Sequence, residues 1–256
     1  MTGALPQLSE LGQAWLWHGF VTFLRVGAIL SLLPAFGEHA VPARVKLILA
    51  FCFTLIVTPA IPATTPADAP GLLRLVLAEA GTGLIIGIGI RLFVLALQTA
   101  GSMAAQATSL AQVFGGAGVE PLPAIGHVLV VSGLALAVMS GLHVRAAELM
   151  IRSYDMFPAG RFPDAGMIAQ WGVARTAQMF ALAFTLAAPF VIMSVLYNLT
   201  LGVINRAMPQ LMVAFVGAPV ITAGGLFLLF LLAPILLSRW NEVFLHFLAD
   251  PFGAIP

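Results

Sequence analysis

The sequence predicts an all-α membrane protein, and three features of its 256 residues support that prediction. Hydrophobic residues make up 61% of the chain and charged residues only 8%, whereas a soluble domain has about 25% charged residues. The mean hydropathy is +1.05. A helix needs about 20 apolar residues to cross a bilayer. Five runs free of Asp, Glu, Lys and Arg reach that length: residues 47–67, 92–119, 121–144, 176–205 and 207–238.

The pattern predicts about six apolar helices arranged as hairpins, and no separate soluble domain. Their connections are rich in proline and glycine, as in PAIPATTPADAPG and FGGAGVEPLP. Pro189, Pro219 and Pro234 lie inside the last two apolar runs and predict kinked helices there. The six helices are expected near residues 12–33, 45–60, 72–100, 125–150, 172–204 and 211–238.

Composition and motifs argue against an enzyme and against a nucleic-acid-binding protein. The net charge is +1 and there is no basic run that could follow a phosphate backbone. The five histidines are scattered singly, without the helical spacing of a metal pair. The chain has no GxSxG or GxxxxGK[ST] motif. We therefore expect no catalytic residues, no metal site and no cofactor.

The segment EAGTGLIIGIGIR places two charges and two glycines at intervals of four: Glu79, Gly83, Gly87 and Arg91. The two glycines form a GxxxG pair, which lets a neighbouring helix approach closely. The charges need a partner or must reach an interface, because an unpaired charge inside a membrane is costly. Two alternatives are open. The segment packs within the chain with its charged ends at an interface, or Glu79 or Arg91 pairs with another subunit.

An uncharged polar stripe follows immediately, formed by Gln98, Ser102, Gln106 and Ser109. Lipid is a poor neighbour for such a stripe. It is expected either to pack against a second polar helix or to line a wet passage.

The glycine-rich segment after this stripe must be irregular, because its glycines allow positive φ and its prolines stop a helix. Such backbone is either an external loop or, at membrane depth, a loop buried in protein or lining an aqueous cavity. From the residues alone, the external loop is the preferred interpretation. The residues in question are Phe114, Gly115, Gly116, Gly118, Val119, Glu120 and Pro121.

A short polar interruption separates the last two apolar runs and predicts the tip of a helical hairpin. It contains Asn205, Arg206, Pro209 and Gln210.

The order of these features resembles the FliR family of flagellar biosynthetic proteins and its SctT-type counterparts in injectisomes. The resemblance rests on RVGAILSLLPAFGEHAVPARVKLILA, EAGTGLIIGIG, AGSMAAQATSLAQVF, SYDMFPAG and NLTLGVINRAMPQLMVAFVGAPV, and it extends over essentially the whole chain. One departure is Glu120–Pro121, which stands where the family has an aspartate–proline pair.

This resemblance implies a structural, pore-forming subunit of the type III protein export gate in the bacterial inner membrane, at the flagellar basal body. It implies a FliP-like part over residues 1–175 and a FliQ-like C-terminal hairpin over residues 176–256. The implied partners are FliP and FliQ, then FlhB and FlhA, the exported flagellar polypeptides and membrane lipid. It also changes the preference for residues 110–123 from an external loop to a channel plug. The alternatives are a secondary transporter of small solutes and the SctT subunit of an injectisome.

Overall fold

The computed structural model describes residues 4–38, 40–63, 69–108, 124–208 and 213–253, and in these ranges it contains helices and no β-strand. A short 3₁₀ turn, Thr58–Ala60, follows the second helix. The all-α prediction is confirmed. The seven helices are α1 (Ala4–Leu32), α2 (Ala43–Val57), α3 (Ala69–Thr108), α4 (Ala124–Met139), α5 (Leu142–Met156), α6 (Ala165–Ala207) and α7 (Val213–Ala249).

The helices contain enough long apolar stretches for a membrane protein. By length and composition, α1, α3, α6 and α7 can each cross a membrane, as can α2 together with its 3₁₀ turn. The pair α4 and α5 adds a sixth crossing if the two helices count as one bent span. Within the described residues, the count of five or six agrees with the six helices predicted.

One predicted helix, at residues 125–150, is instead two helices. The chain bends by 73° between α4 and α5. Gly141 makes the bend with a φ of +83°, a left-handed conformation that costs glycine little because it has no Cβ. The glycine signal was present in the sequence, but the surrounding apolar run concealed it.

Helix α5 differs from the other helices in having one polar face. Its inward positions are Leu142, Ala146, Leu149, Met150, Ser153 and Tyr154. Its charged residues Arg145, Arg152 and Asp155 are exposed. Because charges favour water or headgroups over hydrocarbon, we expect the outer face of α5 to meet a polar environment.

Four predicted helices are longer in the structure than the sequence indicated. Helix α1 begins at Ala4 rather than near residue 12. Helix α3 reaches Thr108, so the glycine pair shares one helix with Gln98, Ser102 and Gln106. Helix α6 continues through Pro189, and α7 continues through Pro219 and Pro234 and on to Ala249. Apolar surroundings tolerate such prolines, because neighbouring groups can satisfy the freed backbone atoms.

The chain divides into two compact units. Unit 1 takes its residues from Met1–Arg91, Val138–Ala174 and Phe244–Pro256. The end of the described chain is part of its interior. Trp171 Nε1 donates to the Pro251 oxygen at 2.8 Å, and the Trp171 ring stacks on Phe252. Phe244, Phe247 and Leu248 are buried.

Unit 2 takes its residues from Leu92–Ala137 and Arg175–Val243. Trp240 is fully buried in it and donates from Nε1 to the Phe93 oxygen at 2.9 Å. A second cluster of buried residues joins α3, α4, α6 and α7 and comprises Ala104, Ile125, Leu129, Phe190 and Leu229.

Candidate functional site

Helices α1 and α3 approach each other closely at the two glycines of the GxxxG pair. A Cβ atom added at Gly83 would lie 2.6 Å from the Arg25 backbone oxygen and 2.7 Å from the Ala28 Cβ. At Gly87 it would lie 2.9 Å from Leu32 Cδ1. Real Cβ atoms need more room, so any larger side chain at Gly83 must push the helices apart.

One turn before Gly83, a fully buried ion pair joins the same two helices. Arg25 Nε donates to Glu79 Oε2 at 2.8 Å, and Arg25 Nη2 donates to Glu79 Oε1 at 3.0 Å. Both side chains have no exposed surface. The Arg25 guanidinium also lies 3.8 Å from the centre of the Tyr154 ring. The two parallel hydrogen bonds fix the orientation of both side chains.

The same pair also holds the connection between α5 and α6. Arg25 Nη1 donates to the Ser153 oxygen at 3.0 Å and to the Phe157 oxygen at 2.9 Å. The backbone N–H of Gly160 donates to Glu79 Oε1 at 2.9 Å. The Ser153 oxygen also accepts the backbone N–H of Phe157 at 2.9 Å, so Arg25 adds a second, charged donor at the C-terminal end of α5.

The other charge of the predicted stripe, Arg91, also has a partner within unit 1. Its Nη1 contacts Glu38 Oε1, and its Nη2 donates to Glu38 Oε2 at 3.4 Å. About a quarter of each side chain is exposed, 25% and 24%. In the chain by itself, both charges of the stripe therefore have internal partners.

The interior position of Arg25 is the feature that sequence reasoning missed. Arg25 is the only charged residue from position 11 to position 37, inside an apolar helix. An acidic partner was therefore required, and Glu79 is the only charge between Arg74 and Arg91. The role of the Ser153 and Phe157 carbonyls could not be predicted, because backbone acceptors leave no signal in the sequence.

The polar stripe of α3 lies in unit 2 and is incompletely covered. Gln98 and Ser102 are half-buried, and Gln106 is exposed. Ser109 lies outside the described residues. Next to the stripe α3 touches α4, because a Cβ added at Gly101 would lie 2.2 Å from the Gly126 Cα.

The structure places two residues of the predicted hairpin tip. Asn205 and Arg206 are exposed at the end of α6. Pro209 and Gln210 lie outside the described residues. So does the whole glycine-rich segment, namely Phe114, Gly115, Gly116, Gly118, Val119, Glu120 and Pro121. Among the described residues there is no group of three His, Cys, Asp or Glu side chains that could hold a metal ion.

Comparison with known proteins gives one consistent family. The model of the family described as bacterial export proteins, family 1, matches residues 16–247. The flagellar biosynthetic protein FliR of Caulobacter vibrioides is 33% identical over 227 residues, which cover 87% of this chain and 90% of that protein. The FliR protein of Escherichia coli is 28% identical over 98% of this chain and 99% of its own length. That of Bacillus subtilis is 29% identical over 78% of this chain and 79% of its own length. Together with the all-helical apolar fold, these matches show that the chain belongs to the FliR family of bacterial export proteins.

Proposed function

We propose that the chain is a structural, pore-forming subunit of the flagellar type III protein export gate in the bacterial inner membrane. Its family and the names of its relatives support a role in flagellar export. The flagellar relatives also favour the flagellar machine over an injectisome. The energy for export is supplied elsewhere, and this chain contributes the walls of the passage for unfolded flagellar polypeptides.

The exposed apolar surface of the C-terminal hairpin is the observation that most supports assembly with other subunits. Only 17% of the most apolar stretch of α7 is buried within the chain. Large apolar side chains project outward from both helices of the hairpin: Phe180, Phe184, Ile192, Leu199, Phe227, Phe230 and Ile235. Exposed apolar surface of this extent is expected to contact lipid or partner helices. For a FliQ-like hairpin over residues 176–256, the expected partners are FliQ and FliP.

The same proposal gives each remaining feature a place in the gate. Residues 1–175 take the FliP-like position, and FlhB and FlhA are expected to join the assembled gate. Gln98, Ser102, Gln106 and Ser109 face the passage, because polar side chains suit a wet lumen. Residues 110–123 plug that passage in the closed gate. Their flanking helices α3 and α4 touch at Gly101 and Gly126, which supports a fixed frame for the plug.

Co-purification tests the proposal directly. The chain is expressed with and without FliP and FliQ from the same bacterium, and the size distributions of the purified material are compared. We expect a single stable complex with the partners and heterogeneous material without them. A stable, monodisperse lone chain that takes up small solutes into vesicles would instead favour a secondary transporter.

A further inference from the structure

The buried pair of Arg25 and Glu79 connects three parts of unit 1. It joins α1 to α3 through two charge-assisted hydrogen bonds. It also holds both ends of the turn formed by residues 157–160, because Arg25 binds the Phe157 oxygen and Glu79 binds the Gly160 N–H. We call this turn the α5–α6 turn.

The α5–α6 turn has no charged side chain of its own with which to attach itself. Its two anchoring atoms are backbone atoms, an oxygen and an N–H, and both are bound by groups on other helices. Gly160 has a φ of +72°, and a Cβ atom there would lie 2.9 Å from Leu75 Cδ1. The turn therefore packs closely against α3, and the ion pair supplies polar partners for its backbone in an apolar interior.

We propose that the Arg25–Glu79 pair is a folding checkpoint, in which α1 must pair with α3 before the α5–α6 turn can dock. An unpaired Arg25 or Glu79 is strongly disfavoured among apolar helices. We therefore expect α1 and α3 to fold stably in the membrane only when the two charges pair. Only the completed pair offers an acceptor and a donor at the spacing that the two ends of the turn require.

A plain stabilising ion pair would behave differently from a checkpoint. Apolar residues can often replace both partners of a buried ion pair without loss of stability, whereas removal of one partner leaves a buried charge alone. For a plain ion pair, apolar replacement of both residues should restore every property of the chain. For a checkpoint, it should restore accumulation in the membrane but leave the turn undocked.

The test uses the full chain, expressed in bacterial membranes with the natural Cys52 replaced by alanine. Ala159→Cys places a reporter in the α5–α6 turn for labelling with a maleimide. The variants are Arg25→Met, Glu79→Leu and the double variant Arg25→Met/Glu79→Leu. Arg145→Met is the matched control, because Arg145 forms an ion pair with Glu148 at which both side chains are about half exposed, 50% and 45%.

Both single variants should lower the amount of membrane-integrated chain by about tenfold, since each leaves one buried charge without its partner. The double variant should return that amount to within about twofold of the original chain. Its reporter at position 159 should nevertheless label about ten times faster than in the original chain, since the turn has lost both polar anchors. The control should change neither measurement.

Three results would overturn the proposal. Single variants that accumulate as well as the original chain would show that the two charges are not accepted as a pair. A double variant that fails like the single variants would show that charge neutrality is not what the pair provides. A double variant with a reporter as protected as in the original chain would show that the turn docks without the pair.

Discussion

Helices α3 and α7 are both long and apolar, yet they differ in how much of their surface the chain itself covers. In the most apolar stretch of α3, 56% of the residues are buried, against 17% in α7. The buried side of α3 carries two glycines that admit α1 and a charge that pairs with it. Hydropathy predicts both helices equally well. Close helix contact and a paired charge are what distinguish α3, which packs within the chain, from α7, whose surface remains available to lipid or partner subunits.

The largest loss of stability is expected where α3 packs against α1. Gly83→Val should lower the free energy of unfolding by about 3 kcal/mol, the upper end for overpacking, because the new side chain meets the Arg25 backbone rather than a flexible group. Gly81→Val is the matched control on the same helix, since nothing lies within 4 Å of its added Cβ. Thermal unfolding in detergent measures the difference. Equal effects of the two substitutions would contradict the importance of the close contact.

Neighbouring residues of α7 sharpen the comparison further. Leu229 is buried in the unit 2 cluster, whereas Phe230 is 78% exposed. Leu229→Ala should lower the free energy of unfolding by about 2 kcal/mol, at the low end for a cavity because lipid removes part of the transfer term. Phe230→Ala should change it by less than about 0.5 kcal/mol.

The two variants should show the reverse order in assembly with the partner subunits. Pull-down yield with FliP and FliQ should fall for Phe230→Ala even though the folded chain is unchanged. A normal yield for Phe230→Ala would indicate that this face of α7 meets lipid rather than a partner.

A smaller effect on the fold is expected at the hairpin tip. Arg206 is exposed and is the only charge between Arg175 and Arg239. Arg206→Ala should leave thermal unfolding unchanged within about 0.5 kcal/mol, as for other surface substitutions. Assembly yield should fall several-fold if Arg206 meets an acidic partner or a lipid headgroup. Unchanged assembly yield together with normal export would show that Arg206 has no role in assembly.

The smallest effect on folding is expected from trimming the glycine-rich segment at residues 110–123. The packing surfaces of the described helices lie elsewhere, so the gate should still assemble. If the segment is a plug, cells with the trimmed gate should become permeable to ions or small molecules. A trimmed gate that assembles and stays as tight as the original would return these residues to the role of a connecting loop.

The sequence predicts the helices better than it predicts their contacts. Long apolar stretches were enough to identify the apolar helices and the all-α fold, even where a charge such as Arg25 or Glu79 interrupts them. The break at Gly141 was missed because apolar residues continue on both sides of it. The glycine pair on α3 was visible at fixed spacing, whereas the partner of Glu79 lies 54 positions away in sequence. Contacts between residues far apart in sequence depend on how the helices cross, and helical periodicity does not encode that crossing. Backbone partners such as the Ser153 oxygen are harder still to predict, because they leave no signal in the sequence.

The place of residues 244–253 within unit 1 has a consequence for the timing of synthesis. A Cβ at Gly89 would lie 2.9 Å from the ring of Phe247, which leaves the ribosome 158 residues later. At about 5–20 residues per second, that interval is on the order of 10 s. Throughout this time the middle of α3, around Gly89, lacks its contact with Phe247. Unit 1 can therefore complete its interior only after residues 244–253 have been synthesised, and we expect lipid or an insertion factor to shield its earlier helices until then.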